Sequence, residues 1–287
     1  MQPENFPGIY KSADALSASS QKKFFGVLAL HLSLLVIGAA LSAINNPSIL
    51  TVIAQVVVLL GALFCSIYLL GTRPERKWYS ARAVAESVKT VTWRFGCRAE
   101  PFASDDNVSE AHLREVLRKI VEQNSDITRA LTRYLMDHQV TLEMRAMRSQ
   151  SLADRKNTYK SDRIENQLAW YAGKAEVNSR AATKSFLFLV IVNALAVLSA
   201  LLRIKCLDAS FWYTDILVAA AASLLSWIQA KRYSELAASY ALAAHEIGII
   251  REEALAPNSE DEFSKFVADS ENAFSREHTQ WLARKDA

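Results

Sequence analysis

Residues 24–72 contain no Asp, Glu, Lys or Arg. Within them, 24–44 and 49–70 are apolar runs of about 20 residues, enough for a helix to cross a hydrocarbon core of roughly 30 Å. Asn45, Asn46 and Pro47 separate the two runs and supply turn chemistry, so the chain is expected to reverse there. Two further runs follow much later. Residues 186–202 form a short span whose flanking Lys184 and Arg203 reach the interface by snorkelling. Residues 211–228 open on Trp212 and Tyr213, a pair suited to a membrane interface. The pattern predicts an all-α membrane protein with four transmembrane helices in two hairpins. A soluble bundle would have to bury the uncharged stretch on every side, and a chain of 287 residues has little room for that.

Flanking charge sets the expected orientation. Lys22 and Lys23 precede the first span, and Arg73, Arg76, Lys77 and Arg82 follow the second. Arg180 and Lys184 precede the third, and Lys231 and Arg232 follow the fourth. The first turn is uncharged. The positive-inside rule therefore places both termini and the long middle segment in the cytoplasm.

The middle segment reads as helical. A helix is expected over 76–93, broken by Gly96 and Pro101, with Ser109 as the next N-cap. From there Leu113, Leu117, Ile120, Asn124, Ile127 and Leu131 recur at alternating spacings of four and three, continuing to Tyr134 and His138, which is heptad periodicity. Asn124 would set register on that seam. The plainer reading of the seam is packing within one chain; the sharper one is that the cytoplasmic coils pair between subunits and assemble a homo-oligomer. Ile164, Leu168, Tyr171 and Ala175 form a second seam leading into the third span. Tyr79-Ser80 follows the second span much as Tyr233-Ser234 follows the fourth, so the chain reads as a loose duplication.

Composition narrows the chemistry. The net charge of +3 gives no reason to expect nucleic-acid binding, and the three cysteines (65, 97 and 206) lack the spacing of a disulfide framework or zinc site. No cleavable signal peptide is expected, because the first apolar run is too long and a second follows it at once. The nucleotide, metalloprotease and hydrolase motifs are missing from the sequence, so no enzyme and no cofactor is expected. Polar groups within the spans are costly in lipid and usually face other helices or water. These are His31, Gln55, Asn193 and Asp215, candidates either for lining a path or for interhelical hydrogen bonds. The basic clusters at 73–82 and 145–156 are the obvious places for an anionic ligand, though they also suit juxtamembrane anchors.

Three stretches then carry a family likeness. The first is Ala85-Glu86-Ser87-Val88-Lys89-Thr90, continuing through Thr92-Trp93-Arg94 to Ala99-Glu100-Pro101-Phe102. The second is Arg163-Ile164-Glu165-Asn166-Gln167-Leu168-Ala169-Trp170-Tyr171, and the third is Glu277-His278-Thr279-Gln280-Trp281. Together they resemble the bacterial SLATT domains, two-transmembrane effector domains associated with SMODS and SLOG proteins. The likeness implies a tandem pair, 1–155 and 156–287. Phe95-Gly96-Cys97 departs from the family pattern, which has bulkier apolar residues there.

The resemblance implies a membrane effector of conflict or antiviral defence that forms a pore or disrupts the inner membrane. It also implies a nucleotide second messenger or a sensor protein as a partner. Glu86, Lys89, Trp93, Arg94, Arg163, Gln167, Trp170, Tyr171, Glu277, His278 and Trp281 are the motif positions. The aromatics are expected to fasten the spans to the cytoplasmic helices, and Glu86, Lys89 and Arg94 to pair across helices. A non-conducting scaffold or sensor and an ordinary ion channel are the competing functions.

Overall fold

The computed structural model describes residues 1, 3–45, 47–205 and 213–283, with backbone alone at 3, 205 and 276–283. Among them the chain is helical and without strands. The helices are α1 (Gly8–Ser42), α2 (Ile49–Thr72), α3 (Pro74–Gly96), α4 (Asp106–Gln123), α5 (Ser125–Thr128), α6 (Leu142–Arg148) and α7 (Leu152–Tyr159). A π-helical stretch, Lys160–Glu165, leads into α8 (Asn166–Lys205). Then come α9 (Thr214–Lys231), α10 (Tyr233–Glu253) and α11 (Glu260–Ala283).

Local chemistry sets these ends. Ser48, Thr141, Ser151 and Ser259 each accept a hydrogen bond from a backbone N–H in the first turn of the helix they precede. Arg73 ends α2 in the left-handed conformation, its N–H bonded to Leu69 O at 3.0 Å. Arg232 ends α9 in the same way on Ile228 O at 2.9 Å. Each arginine is followed at once by a new helix, so the duplication seen in the sequence returns as one repeated joint.

The residues fall into two compact units. Unit 2 comprises Lys22–Pro74 and Ala175–Ala238. Its helices turn apolar side chains outward: Leu70 is 75% and Phe186 67% exposed. Three continuous helical stretches among the described residues are long and apolar enough to span a bilayer, Gly8–Ser42, Ile49–Gly96 and Leu152–Ile204. The fourth predicted span begins at Phe211 and Trp212, outside the described residues. The helix described there, α9, is not among the three, since Asp215, Gln229 and Lys231 lie within its 18 residues.

Small residues bring α1 and α2 together. A Cβ on Gly38 would lie 3.0 Å from Leu59, and one on Gly61 would lie 3.2 Å from Leu34. His31 Nδ1 lies 3.0 Å from Ala62 O on α2, and Ser66 Oγ donates to that same carbonyl at 3.2 Å. Asn193 donates to Leu189 O of its own helix. Gln55 and Asp215 make no side-chain hydrogen bond or ion pair among the described residues. Among the described residues no hydrogen bond or ion pair joins any two of these four polar residues.

Unit 1 comprises Met1–Gln21, Glu75–Lys174 and Ser239–Ala287. Its core joins Phe6, just before α1, with Tyr10 from α1, Val84, Val88 and Trp93 from α3, and Met144 from α6. Tyr159, Ile164, Phe263 and Val267 complete it. The heptad seam is corrected here. It breaks at Asn124, which ends α4 and donates through Nδ2 to Ile120 O instead of setting register. Leu113, Leu117, Ile127 and Leu131 are buried in the chain's own core, with Ile120 packed against it, so they are not free to pair with another subunit. The N-cap expectation changes too. Asp105 caps α4, while Ser109 lies inside it, donating to Phe102 O and Ser104 O.

Candidate functional site

Three residues on one face of α3 begin the site. Arg82, Glu86 and Lys89 stand at i, i+4 and i+7. Glu86 Oε1 lies 2.7 Å from Arg82 Nη2, and its Oε2 lies 3.8 Å from Lys89 Nζ. Arg82 Nη1 reaches Asp14 of α1 at 3.5 Å. Glu86 is buried, so its charge is held by these neighbours and not by water.

The line continues into the second half of the chain. Lys89 Nζ donates to Gln167 Oε1 on α8 at 3.5 Å, and Arg163 Nη1 donates to the same oxygen at 3.3 Å. Arg163 then grips Glu271 of α11 with two parallel bonds, Nε to Oε1 at 2.8 Å and Nη2 to Oε2 at 2.7 Å. Tyr159 donates its hydroxyl to Glu271 Oε1 at 3.1 Å, and the Arg163 guanidinium lies 5.0 Å from the Phe274 ring centre. Arg163 and Glu271 are both buried. The π-helical stretch, a form often found at functional sites, contains Arg163.

Burial and charge compete along this line. Burial pushes the Lys89 ammonium down to about 8; Glu86 resists that shift, while Arg163 and Arg82 reinforce it. Burial also opposes the Arg163 charge, but Glu271's charge and hydrogen bonds outweigh it and hold the guanidinium above its ordinary value. Tyr159 is pushed upward, first by burial and then by the Glu271 charge. Tyr10 rises to about 12 through burial, with Asp14 and Glu86 adding to it.

A second set of arginines fastens the end of α3. Buried Arg148 donates to Phe95 O at 3.0 Å, Phe102 O at 2.8 Å and Ser104 O at 2.7 Å, with Asp106 Oδ1 2.7 Å from its Nε. Arg155 donates to Cys97 O at 2.9 Å and pairs with Glu260. These cations occupy a helix C-terminus, where free carbonyls favour them. The small Phe95-Gly96-Cys97 step has a reason: a Cβ on Gly96 would lie 2.9 Å from Met147 Sδ.

The motif residues thus divide. Glu86, Lys89, Arg163 and Gln167 meet in the ionic line. Arg94 crosses to α11, donating to Ala268 O at 3.0 Å and Asn272 Oδ1 at 2.6 Å. Trp93 does not sit at a membrane boundary; it is buried in the unit 1 core between Phe6 (6.4 Å) and Tyr159 (5.8 Å). Trp170 and Tyr171 pack on Tyr240 of α10 at 5.5 and 5.7 Å. Glu277, His278 and Trp281 fall on α11, but their side chains lie outside the described residues.

Sequence reasoning missed Glu271, Tyr159 and Asp14, and it read Arg82, Arg148 and Arg155 only as members of the basic clusters at 73–82 and 145–156. A usable signal existed for Glu271, which shares the apolar stripe of α11 with Phe263, Val267 and Phe274 at helical spacing. What the arrangement can do is hold four helical segments, two from each half of the chain, through a line whose inner charges, on Glu86, Arg163 and Glu271, have no solvent to replace a lost partner.

No curated protein and no solved structure matches the chain. Residues 7–156 match the SMODS and SLOG-associating 2TM effector domain 3, and residues 159–281 match domain 1 of the same group. The ionic line therefore joins side chains of both domains, and the chain belongs to the SLATT family as two tandem SLATT domains.

Proposed function

We propose that this protein is a membrane effector of bacterial conflict defence, which opens or disrupts the inner membrane under control of its unit 1 helices. In this reading four spans cross the bilayer and both termini are cytoplasmic. It works without catalysis. A nucleotide second messenger or a sensor protein promotes an opening that abundant protein also reaches on its own. Family membership supports the effector role, and the outward apolar faces of unit 2 support the membrane location.

One observation carries the control. Motif residues of both domains meet in a single ionic line, buried at Glu86, Arg163 and Glu271, and α1 and α8, which contribute Asp14 and Gln167 to it, also contain apolar stretches long enough to span a bilayer. A change in that line acts on helices that extend into the spanning runs. The experiment is induced expression of the full chain in a bacterium carrying a potential-sensitive dye. Growth arrest together with loss of membrane potential is the expected result. Arrest with the potential intact, or no arrest despite membrane insertion, would reject the proposal.

A further inference from the structure

Two exposed features of unit 1 have no charged partner among the described residues. The first is the loop after α5, whose base is tied to the start of α1. Gly8 N donates to His138 O at 3.2 Å, Ile9 N donates to Gln139 Oε1 at 3.1 Å, and Lys11 pairs with Asp137 at 2.5 Å. Tyr134 is held at φ 56°, a conformation that a bulky residue keeps only where its surroundings impose it. On this fixed base Leu135 is 70% and Met136 95% exposed. Arg129 and Arg133 precede the tip, exposed and without a carboxylate partner among the described residues.

The second is the outer face of α10. Tyr240, Ala243, Ala244, Ile247 and Ile250 of this helix belong to the core or pack on it. Leu242, Glu246, Ile249 and Glu253 follow one another at i, i+4, i+7 and i+11 along a different face. Leu242 and Ile249 are each 63% exposed. Glu246 and Glu253 are exposed and have no basic partner among the described residues. A helix that is apolar on opposite sides is the kind that becomes buried on both.

We propose that the loop tip of one copy docks on the outer face of α10 of a second copy. Leu135 and Met136 meet Leu242 and Ile249, while Arg129 and Arg133 meet Glu246 and Glu253. Each surface offers the apolar area and the charge that the other lacks, and an unbranched methionine adapts well to such a contact. The contact joins different patches. It closes either as a reciprocal pair or as a head-to-tail ring. It moves the subunit contact away from the Leu113–Leu131 seam, which the chain uses in its own core. It holds whether or not the assembly conducts ions.

The experiment uses the full chain in native membranes. Met136→Cys and Ile249→Cys are introduced together and singly, and oxidised with copper phenanthroline. Cross-linked dimers or longer ladders at least five-fold above both single variants are the expected result; dimers alone indicate a reciprocal pair, and longer species a ring. In the cysteine pair, Arg129→Glu with Arg133→Glu abolishes the product. So does Glu246→Arg with Glu253→Arg. All four together restore at least half of it. Three results would overturn the proposal: a product equally strong from one cysteine alone, no rescue by the combined reversals, or cysteines that couple only to other proteins.

Discussion

Removing Glu271 separates a structural charge network from an incidental one. Its carboxylate accepts two bonds from Arg163, at 2.8 and 2.7 Å, and one from Tyr159 at 3.1 Å, all in a site closed to water. Glu271→Ala leaves the Arg163 guanidinium buried and unpaired, which costs about 3–5 kcal/mol. At roughly 2–4 °C per kcal/mol for a unit of this size, the unfolding midpoint falls by about 6–20 °C. Replacing both charges, Arg163→Met with Glu271→Leu, removes the stranded cation. Only the Tyr159 hydroxyl and Gln167 then lose partners, so the double variant should recover more than half of the loss, and adding Tyr159→Phe should recover more. Intrinsic-fluorescence melting of the detergent-solubilised full chain reads all four proteins. Equal destabilisation in the single and double variants would refute the reasoning, because it would mean that packing, not charge, holds the site.

Further predictions follow from the same geometry. Lys89, held near 8 when folded, binds fewer protons than its unfolded counterpart from about pH 8 to pH 10, so stability should rise with pH across that window. Melting at stepped pH checks this, and Lys89→Met should flatten the rise; above pH 10 the raised Tyr10 works in the opposite direction. Arg148→Lys should destabilise nearly as much as Arg148→Ala, by about 2–4 kcal/mol, because an ammonium cannot reach carbonyls on Phe95, Phe102 and Ser104 at once; denaturant unfolding measures both. Gly8→Ala would place a Cβ 2.7 Å from Tyr134 O, which is backbone, so the loop must shift at a cost of about 1–3 kcal/mol. Faster proteolysis within the loop is the expected sign.

The sequence disclosed unequal shares of this. The uncharged 24–72 stretch announces the first two spans because lipid admits no unpaired charge there. The fourth run is harder to read: Asp215, Gln229 and Lys231 bring α9 close to the composition of a buried soluble helix. The heptad spacing from Leu113 was visible, yet periodicity cannot say whether a seam faces its own chain or another, and Asn124 broke the helix within it. Glu86, Lys89, Arg163 and Gln167 were identifiable as motif positions through the family resemblance. Their meeting was not legible, since Lys89 and Gln167 lie far apart in the chain and touch only after folding. Glu271 was hidden because a lone carboxylate on a helix reads as solvated until its stripe is seen to face a core.

The central claim is that this SLATT pair opens or disrupts a membrane. The most direct measurement is potassium efflux from liposomes carrying the purified full chain, beside liposomes with equal incorporation of the Gln55→Leu/Asp215→Asn variant. The account predicts rapid efflux with the unaltered chain and at least ten-fold slower efflux with the variant. Equal leakage with both would remove Gln55 and Asp215 from the path, and liposomes that stay sealed with fully incorporated, unaltered protein would contradict it.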